Sequence, residues 1–434
     1  MLISSIMEDR NPWWREPTAR TAPPPFRRSV QGELLRHVGD LTTRRAAVLR
    51  GPRRVGKTVV LDQLAYDLLD QGLPPMNLTV FDFTDDRILG DISPRDVLAA
   101  VPAAVVPGKP RVLLFDEIGS AVGWDRWLKQ AVDLGDSRIV ATDSASSLLL
   151  EGGRESGAGR WDEFLLEGLT FPEFEALSGE GRGPNPLEQY LGLGGFPEHA
   201  GAPTTSPRIR ERIRADIADR AVLRDLYPTG VDVRRVKDLL VYLLQSSGSI
   251  FSAAKVGRDM EADLRSLTGW RQLLADAHLV VPLRRFAGGS AGRLRGHERI
   301  YAVDHGLVVA FAACAHPQDD PTVRARLFEA TVFRHLRSAF DVETQISYFR
   351  RSDALEADFV VGLGDRRAAI EVKSSRAPTD ADVKTLRRAA DEVNAKRRLL
   401  VYDGRTVEQR GDVTLVPLIS FVRAPERIFE GFTP

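Results

Sequence analysis

A single cysteine, Cys314, stands in 434 residues. It excludes an intrachain disulfide and a zinc site built on cysteines. Lysine is scarce too, eight of sixty basic residues, so arginine carries most of the positive charge. Long apolar runs are missing: the longest, Gly306 to Ala315, is far short of the ~20 residues that span a bilayer. No basic n-region opens the chain, and Glu8 and Asp9 follow its short apolar start, which argues against a secretory signal. Cytoplasm is the expected compartment, with no membrane partner. An excess of one charge is also absent, since 60 Lys and Arg balance 60 Asp and Glu. The remainder, 43% hydrophobic and 28% charged, is the composition of a globular protein with room for two to four domains.

The balance hides an asymmetry. Residues 151–198 carry ten acidic and three basic side chains, while residues 205–300 carry eighteen basic and eleven acidic ones. The basic stretch faces either nucleic acid or the acidic stretch across a domain or subunit contact, and charge alone does not choose.

The strongest signal is Gly51-Pro52-Arg53-Arg54-Val55-Gly56-Lys57-Thr58, entered from the apolar run Ala46–Leu49 and left through Val59 into an apolar-periodic segment. The spacing is that of a phosphate-binding loop between a strand and a helix. Its glycines let backbone N–H groups curl toward phosphate oxygens at the positive end of a helix dipole. Lys57 supplies a point charge for the β- and γ-phosphates, and the Thr58 hydroxyl is a hard ligand for Mg²⁺. The expected cofactors are ATP and Mg²⁺.

Downstream, Arg111-Val-Leu-Leu-Phe-Asp-Glu117 reads as a buried strand ending in two carboxylates, a Walker B pattern. Asp116 is expected in the Mg²⁺ shell and Glu117 as the residue that polarises the attacking water. Arg138–Thr142 reads as the next strand, ending in Thr142, Asp143 and Ser144, where a polar side chain, Thr142 first, is a sensor between carboxylate and γ-phosphate, or Ser144 a cap for a helix over 145–150, or both. Strands inserted between the loop and Glu117 point to an additional-strand NTPase with nucleotide at the carboxyl ends of a parallel sheet. Residues 1–25, with Trp13-Trp14 and Pro23–Pro25, read as an arm without regular structure, anchored by its tryptophans.

Several stretches together resemble the bacterial and archaeal AAA-type ATPases that carry a C-terminal restriction-endonuclease-like domain. Besides Gly51–Thr58 and Leu114–Glu117 these are Gly159-Arg160, Leu169–Phe174, Gly194-Gly-Phe-Pro197, Ile300–Asp304, Glu356-Ala-Asp-Phe359 and Ile370-Glu-Val-Lys373. Asp143 departs from the glycine usual in that family's sensor turn. The resemblance implies that Arg160 acts as an arginine finger toward a neighbouring subunit, and that the protein forms a homo-oligomer, with a ring among its forms, through contacts that composition does not reveal.

Beyond Pro203–Pro207 helical patterns run over 208–226, 233–245, 253–260 and 262–277, followed by a strand-like stretch over 279–286. That order is a winged helix-turn-helix. It exposes Arg265, Ser266, Thr268 and Arg271 on the second helix of the pair, makes residues 288–295 the wing, and offers Arg284, Arg285, Arg293 and Arg295 to double-stranded DNA. Packing between the core and the C-terminal domain is the competing role.

In the last third, a strand over 299–303 and a helix over 327–336 precede strands over 346–350, 357–361 and 366–373, a helix over 380–393 and a strand over 398–402. Helix, strand, strand, strand, helix, strand is the order of the restriction-endonuclease-like core, whose signature is Asp, a gap, then Glu-x-Lys. Residues i and i+2 of a strand share a face, so Glu371 and Lys373 project together. Asp358 and Glu371 would share Mg²⁺, Glu329 would complete the shell, and Lys373 would orient water or steady the phosphate. The alternative is a fold of this class that has lost cleavage and only binds.

The expected fold class is therefore α/β. It comprises an arm (1–29), an AAA-type additional-strand P-loop core (30–184), a helical, winged-helix-like segment (185–297) and a restriction-endonuclease-like domain (298–434). The expected function is an ATPase coupled to a DNA-binding or DNA-cleaving half. Its rival is a nucleotide switch whose inactive nuclease-like domain docks a protein partner.

Overall fold

Residues 46–50, 78–82, 111–116, 137–143 and 161–165 are short, mostly apolar stretches, and they pair side by side into one parallel sheet. The structure, a computed structural model, describes residues 2–40, 42–101, 105–144, 159–179, 185–202, 206–219, 231–286, 297–352 and 355–432. It divides into two compact units, residues 1–167 with 223–231, and residues 168–222 with 232–434.

The first unit runs α1 (Leu2–Arg10), α2 (Ser29–Gly39), β1 (Ala46–Arg50), α3 (Lys57–Asp70), β2 (Leu78–Asp82), α4 (Pro94–Ala99), β3 (Arg111–Asp116), α5 (Trp124–Leu134), β4 (Ser137–Asp143) and β5 (Trp161–Leu165). Strand order is β2-β3-β4-β1-β5, every neighbour parallel. Helices on the faces of a parallel sheet bury both of its surfaces, which is why Ala46–Leu49 and Val112–Phe115 are apolar without alternation and buried throughout. One face packs on Trp124, Trp127 and Leu128 of α5 and on Ile6 and Met7 of α1. β4 lies between β1 and β3, the insertion expected of the additional-strand class.

The start of the chain corrects the expectation of an irregular arm: residues 2–10 are a helix. Asn11, Trp13 and Trp14, just beyond that helix, act as an artificial neighbour for the edge strand β2. The buried Asn11 side chain accepts the Val80 N–H at 2.7 Å and donates to the Val80 carbonyl at 2.8 Å. The indoles of Trp13 and Trp14 both donate to the Leu78 carbonyl, at 3.3 and 2.9 Å. An edge whose polar groups are already satisfied does not recruit another strand. The tryptophans are anchors, as expected.

The second unit opens with α6 (Phe171–Ser178), α7 (Pro186–Leu193), α8 (Pro207–Ile213), α9 (Val233–Gln245), α10 (Ala253–Met260) and α11 (Leu264–Asp276). Next come β6 (Val280–Leu283), β7 (Arg299–Ala302), α12 (His305–Phe311), α13 (Pro321–Ala339), β8 (Ile346–Ser352), β9 (Leu355–Leu363) and β10 (Arg366–Lys373). It closes with α14 (Asp380–Glu392), β11 (Arg397–Tyr402), β12 (Glu408–Arg410), β13 (Val413–Pro417) and α15 (Leu418–Arg423). Three helices then two antiparallel strands, β6 and β7, follow the expected order. β7 was expected as the opening strand of the C-terminal domain; it pairs with β6 instead, Val280 opposite Ala302. The helix expected over 208–226 breaks after Ile213 into a wider π-helical turn, Arg214–Asp219. The expected helix over 145–150 and wing over 288–295 lie outside the described residues.

The larger sheet has the order β12-β13-β11-β10-β9-β8. β8, β9 and β10 form an antiparallel meander, and α14 carries the chain over to β11, parallel to β10. α14 and the strands enclose Val360, Ala369, Leu386, Ala390 and Leu400.

A buried polar knot fixes the start of this unit. His335 of α13 accepts the Phe171 N–H on Nε2 at 2.9 Å and contacts the Thr331 carbonyl through Nδ1 at 2.8 Å, so the neutral ring carries its proton on Nδ1. Asp304 accepts the N–H groups of Gly195 at 3.1 Å and Gly306 at 2.7 Å. The backbone crowds so closely there that a Cβ on Gly194 or Gly195 would overlap Asp304. The Gly194–Pro197 and Ile300–Asp304 stretches are thus two halves of one packing contact.

Candidate active site

β1 delivers the chain into the loop Gly51–Gly56 at the carboxyl end of the sheet, and α3 begins at Lys57. The Leu166 N–H donates to the Arg50 carbonyl at 2.7 Å, holding β5 against the loop entrance. A Cβ on Gly51 would be driven into the Leu166 carbonyl oxygen, so no other residue fits there. Gly56 has φ of 95°, a left-handed turn that lets the helix start abruptly. Pro52 and Val55 are buried, whereas Arg54, Thr58 and Val59 are exposed and Arg53 is half-buried. The Lys57 ammonium is buried, donating to the carbonyls of Gly51 at 3.0 Å and Pro52 at 3.1 Å. Burial pulls its pKa below that of an ordinary lysine, and the carboxylates of Glu117, Asp143 and Asp116 oppose the shift.

Asp116 ends β3, buried beside Thr142 of the neighbouring strand β4. The Thr142 hydroxyl donates to Asp116 Oδ1 and accepts the Glu117 N–H at 2.9 Å, so one side chain links both carboxylate residues. Burial raises the Asp116 pKa, and hydrogen bonds from Thr142 and Thr58 hold it back. Thr58 and Asp116 are therefore hard oxygen donors within hydrogen-bond reach of each other, a donor set that fits Mg²⁺. Glu117 has φ of 49°, rare for a residue with a side chain. Its carboxylate lies 3.9 Å from Lys57 Nζ and accepts the Ser144 hydroxyl at 2.5 Å and the Ser144 N–H at 3.1 Å. Sequence reasoning offered Ser144 as a helix cap or as one of the polar residues at the strand end; its bond to Glu117 depends on the turn that brings the ends of β3 and β4 together.

Arg160 is not gathered into this group. Its carbonyl accepts the Ala46 N–H at 3.0 Å, at the start of β1, whereas the phosphate loop leaves the other end of that five-residue strand. Five residues of strand separate the two by ~16 Å. The guanidinium, 41% exposed, pairs with Asp133 at 3.1 Å.

In the second unit, Glu329 of α13, Asp358 of β9 and Glu371 of β10 are drawn to one place, each tied to a cation of the chain. Arg299 Nη1 lies 3.1 Å from both Glu329 Oε1 and Asp358 Oδ1, and its Nη2 lies 3.2 Å from Glu356. Lys373 Nζ donates to Glu371 Oε1 at 2.7 Å, the shared-face geometry expected for i and i+2. Asp358 Oδ2 accepts the Val372 N–H at 2.9 Å, and Tyr301 donates to Glu329 at 2.5 Å. Burial, followed by the charge of Asp358, pushes both Glu329 and Glu371 up to about 8, against the pull of Arg299 and Lys373 respectively. Among the described residues, no group of three or more His, Cys, Asp or Glu side chains is arranged to hold a metal ion. Arg299 is the residue that sequence reasoning missed: it reads as an unremarkable strand start, and its partners lie 30, 57 and 59 positions away.

Of the arginines expected on a nucleic-acid face, Arg265, Arg284 and Arg285 are exposed. Arg271, expected as exposed, is not: its side chain is 14% accessible and paired with Glu298, because α11 packs that flank inward. Arg285 donates to the Arg350 carbonyl, where residues 284–286 run alongside β8. Arg293 and Arg295 lie outside the described residues. No described helix is long and apolar enough to cross a membrane.

Residues 43–175 match a family model described as an AAA domain. Residues 185–318 and 324–421 match two domains of unknown function, DUF8612 and DUF4143. An uncharacterized protein of Haemophilus influenzae is 23% identical over 77% of this chain and 84% of its own length. One from Methanocaldococcus jannaschii is 21% identical over 83% of each chain. Among solved structures, a Walker-type ATPase of Pyrococcus abyssi is 14% identical, with 66% of this chain and 95% of that one covered at a TM-score of 0.40. The Orc1 protein of Aeropyrum pernix, in complex with DNA, is 14% identical, with 73% and 98% covered at a TM-score of 0.31. By family match, phosphate loop and sheet order, the segment 43–175 is an AAA-type P-loop domain.

Proposed function

We propose that this protein is a Mg²⁺-dependent ATPase whose turnover drives a DNA-gripping C-terminal half of restriction-endonuclease-like fold. The observation that carries the ATPase reading is Thr142, which binds Asp116 and the Glu117 backbone at once, beside Lys57. Lys57 holds the β- and γ-phosphates, the loop N–H groups cradle them, and Glu117 orients the attacking water. Thr58 and Asp116 would hold Mg²⁺, which neutralises phosphate charge when bound. Thr142 keeps Asp116 and Glu117 in register, so that the two carboxylates respond together to the nucleotide.

Arg160 lies at the far end of β1 from its own phosphate loop, and an arginine finger there serves another copy of the chain. This supports a homo-oligomer, with a ring as its simplest closed form. The excess of basic residues over 205–300, with Arg265 and Arg284 exposed, supports double-stranded DNA as the partner of the second unit. The engagement of Arg271 and Arg285 within the chain favours a second reading, in which this unit docks a protein.

ATP turnover of the wild type, measured against Lys57→Ala with and without duplex DNA, tests both parts. The expected result is turnover that DNA stimulates and Lys57→Ala abolishes. Turnover indifferent to DNA moves the second unit to the protein-docking reading, and turnover unaffected by Lys57→Ala removes the ATPase site.

A further inference from the structure

We infer that Arg299 is the resident cation of the C-terminal carboxylate group, so that this centre takes no divalent metal and cuts no nucleic acid. The inference concerns the second unit alone and stands whether or not the first hydrolyses ATP.

A metal shared by Asp358 and Glu329 would need an oxygen from each at 2.0–2.1 Å, with nothing between them. In this protein the Arg299 guanidinium is between them, one nitrogen 3.1 Å from both oxygens. Its second nitrogen reaches Glu356 at 3.2 Å, and the planar group stacks 5.0 Å from the centroid of the Tyr348 ring. The arginine is 5% exposed, so it is built in rather than draped over the site. A guanidinium buried among three carboxyl groups would repel a Mg²⁺ placed at close range.

Two further carboxylate oxygens are hydrogen-bonded within the chain. Asp358 Oδ2 accepts the Val372 N–H, and Glu371 Oε1 accepts Lys373. Glu371 Oε2 is buried without a hydrogen-bond partner.

Arg299 belongs to β7, the partner of β6 behind the three-helix segment, rather than to the sheet that carries Asp358 and Glu371. The ion pairs therefore pin the β6–β7 pair to α13 and β9. The centre is a clamp between two substructures of the second unit. A centre of this kind does not cut.

Mn²⁺ binding to the nucleotide-free full chain tests this, with free Mn²⁺ followed by electron paramagnetic resonance. Wild type and Asp358→Asn are expected to bind the same number of ions, and wild type is expected to leave supercoiled and linear DNA uncut in Mn²⁺. Arg299→Met, which removes the charge and keeps the bulk, is expected to gain one Mn²⁺ per chain, lost again in Arg299→Met/Asp358→Asn. A wild-type ion that Asp358→Asn removes, or Mn²⁺-dependent cleavage that Glu371→Gln abolishes, overturns the inference. So does a folded Arg299→Met chain that gains no ion. Should Arg299→Met fail to fold, the wild-type titration and cleavage assay still decide.

Discussion

Thr142 stands between Asp116 and Glu117, donating its hydroxyl proton to the Asp116 carboxylate and accepting the Glu117 N–H at 2.9 Å. Replacing it with valine keeps the shape, takes one of its hydrogen bonds from the buried Asp116 carboxylate and leaves the Glu117 N–H unsatisfied. A hydrogen bond to a charged group is worth about 1.5–3 kcal/mol, so ATP turnover by Thr142→Val should fall roughly 10- to 100-fold. Nucleotide affinity should change less, and Thr142→Ser should recover most of the rate. Steady-state turnover and fluorescent-nucleotide titration check this; an unchanged turnover in Thr142→Val detaches the threonine from the chemistry.

Gly51 and Gly56 sit in the same loop and should respond differently to alanine. At Gly56 nothing lies within 4 Å of an added Cβ, so Gly56→Ala carries only the strain of φ at 95°, about 1 kcal/mol. At Gly51 the Cβ meets the Leu166 carbonyl, and the loop must move off β5. Gly51→Ala should therefore lose the rise in melting temperature that ATP produces, while Gly56→Ala retains part of it. Thermal denaturation with and without ATP distinguishes them.

His335 makes the second unit sensitive to mild acid. Burial, above all, with the charges of Arg334 and His305, holds its pKa at about 3, below the ordinary 6.5, and a proton on Nε2 would also break the bond it accepts from the Phe171 N–H. The unfolded chain takes up a proton below about pH 6.5 and the folded chain does not. Stability is thus fully present above pH 6.5 and drains away as pH falls from there toward 3, at about 1.4 kcal/mol per pH unit. His305, likewise buried and lowered, adds to the same slope. Urea unfolding at pH 7.5, 6.0 and 5.0 should show this loss, and His335→Gln should flatten it.

Arg265 and Arg284 are exposed, whereas Arg271 is committed to Glu298. Removing one phosphate-binding arginine lowers the salt slope of DNA binding by about one. The double variant Arg265→Ala/Arg284→Ala should lower that slope by about two, and Arg271→Ala should reduce melting temperature without altering it. Binding curves at several salt concentrations decide. A slope unmoved by the double variant takes this face out of DNA recognition.

Legibility followed the range over which each signal acts. Gly51–Thr58 and the Leu114–Glu117 strand end are local patterns tied to one backbone geometry, and they could be read directly. The contact of Thr142 with the strand-end carboxylates was legible because a polar residue ending a buried strand must meet something. Helix 2–10 was hidden because Leu-Ile-Ser-Ser-Ile-Met carries little periodicity, and its reason for being helical is the packing of Ile6 and Met7 on the sheet. Arg299 was hidden for the opposite reason: nothing local marks it, and its meaning comes from carboxylates on a helix and another sheet. The reading of Arg271 as exposed failed because helical periodicity locates a face without saying what covers it.

The most direct measurement is ATP hydrolysis by the wild type beside Glu117→Gln, with bound nucleotide quantified in both. The account predicts steady turnover by the wild type, and a Glu117→Gln protein that still binds ATP and Mg²⁺ but retains the nucleotide unhydrolysed. Equal turnover by the two proteins, or no turnover by the wild type with or without DNA, would contradict it.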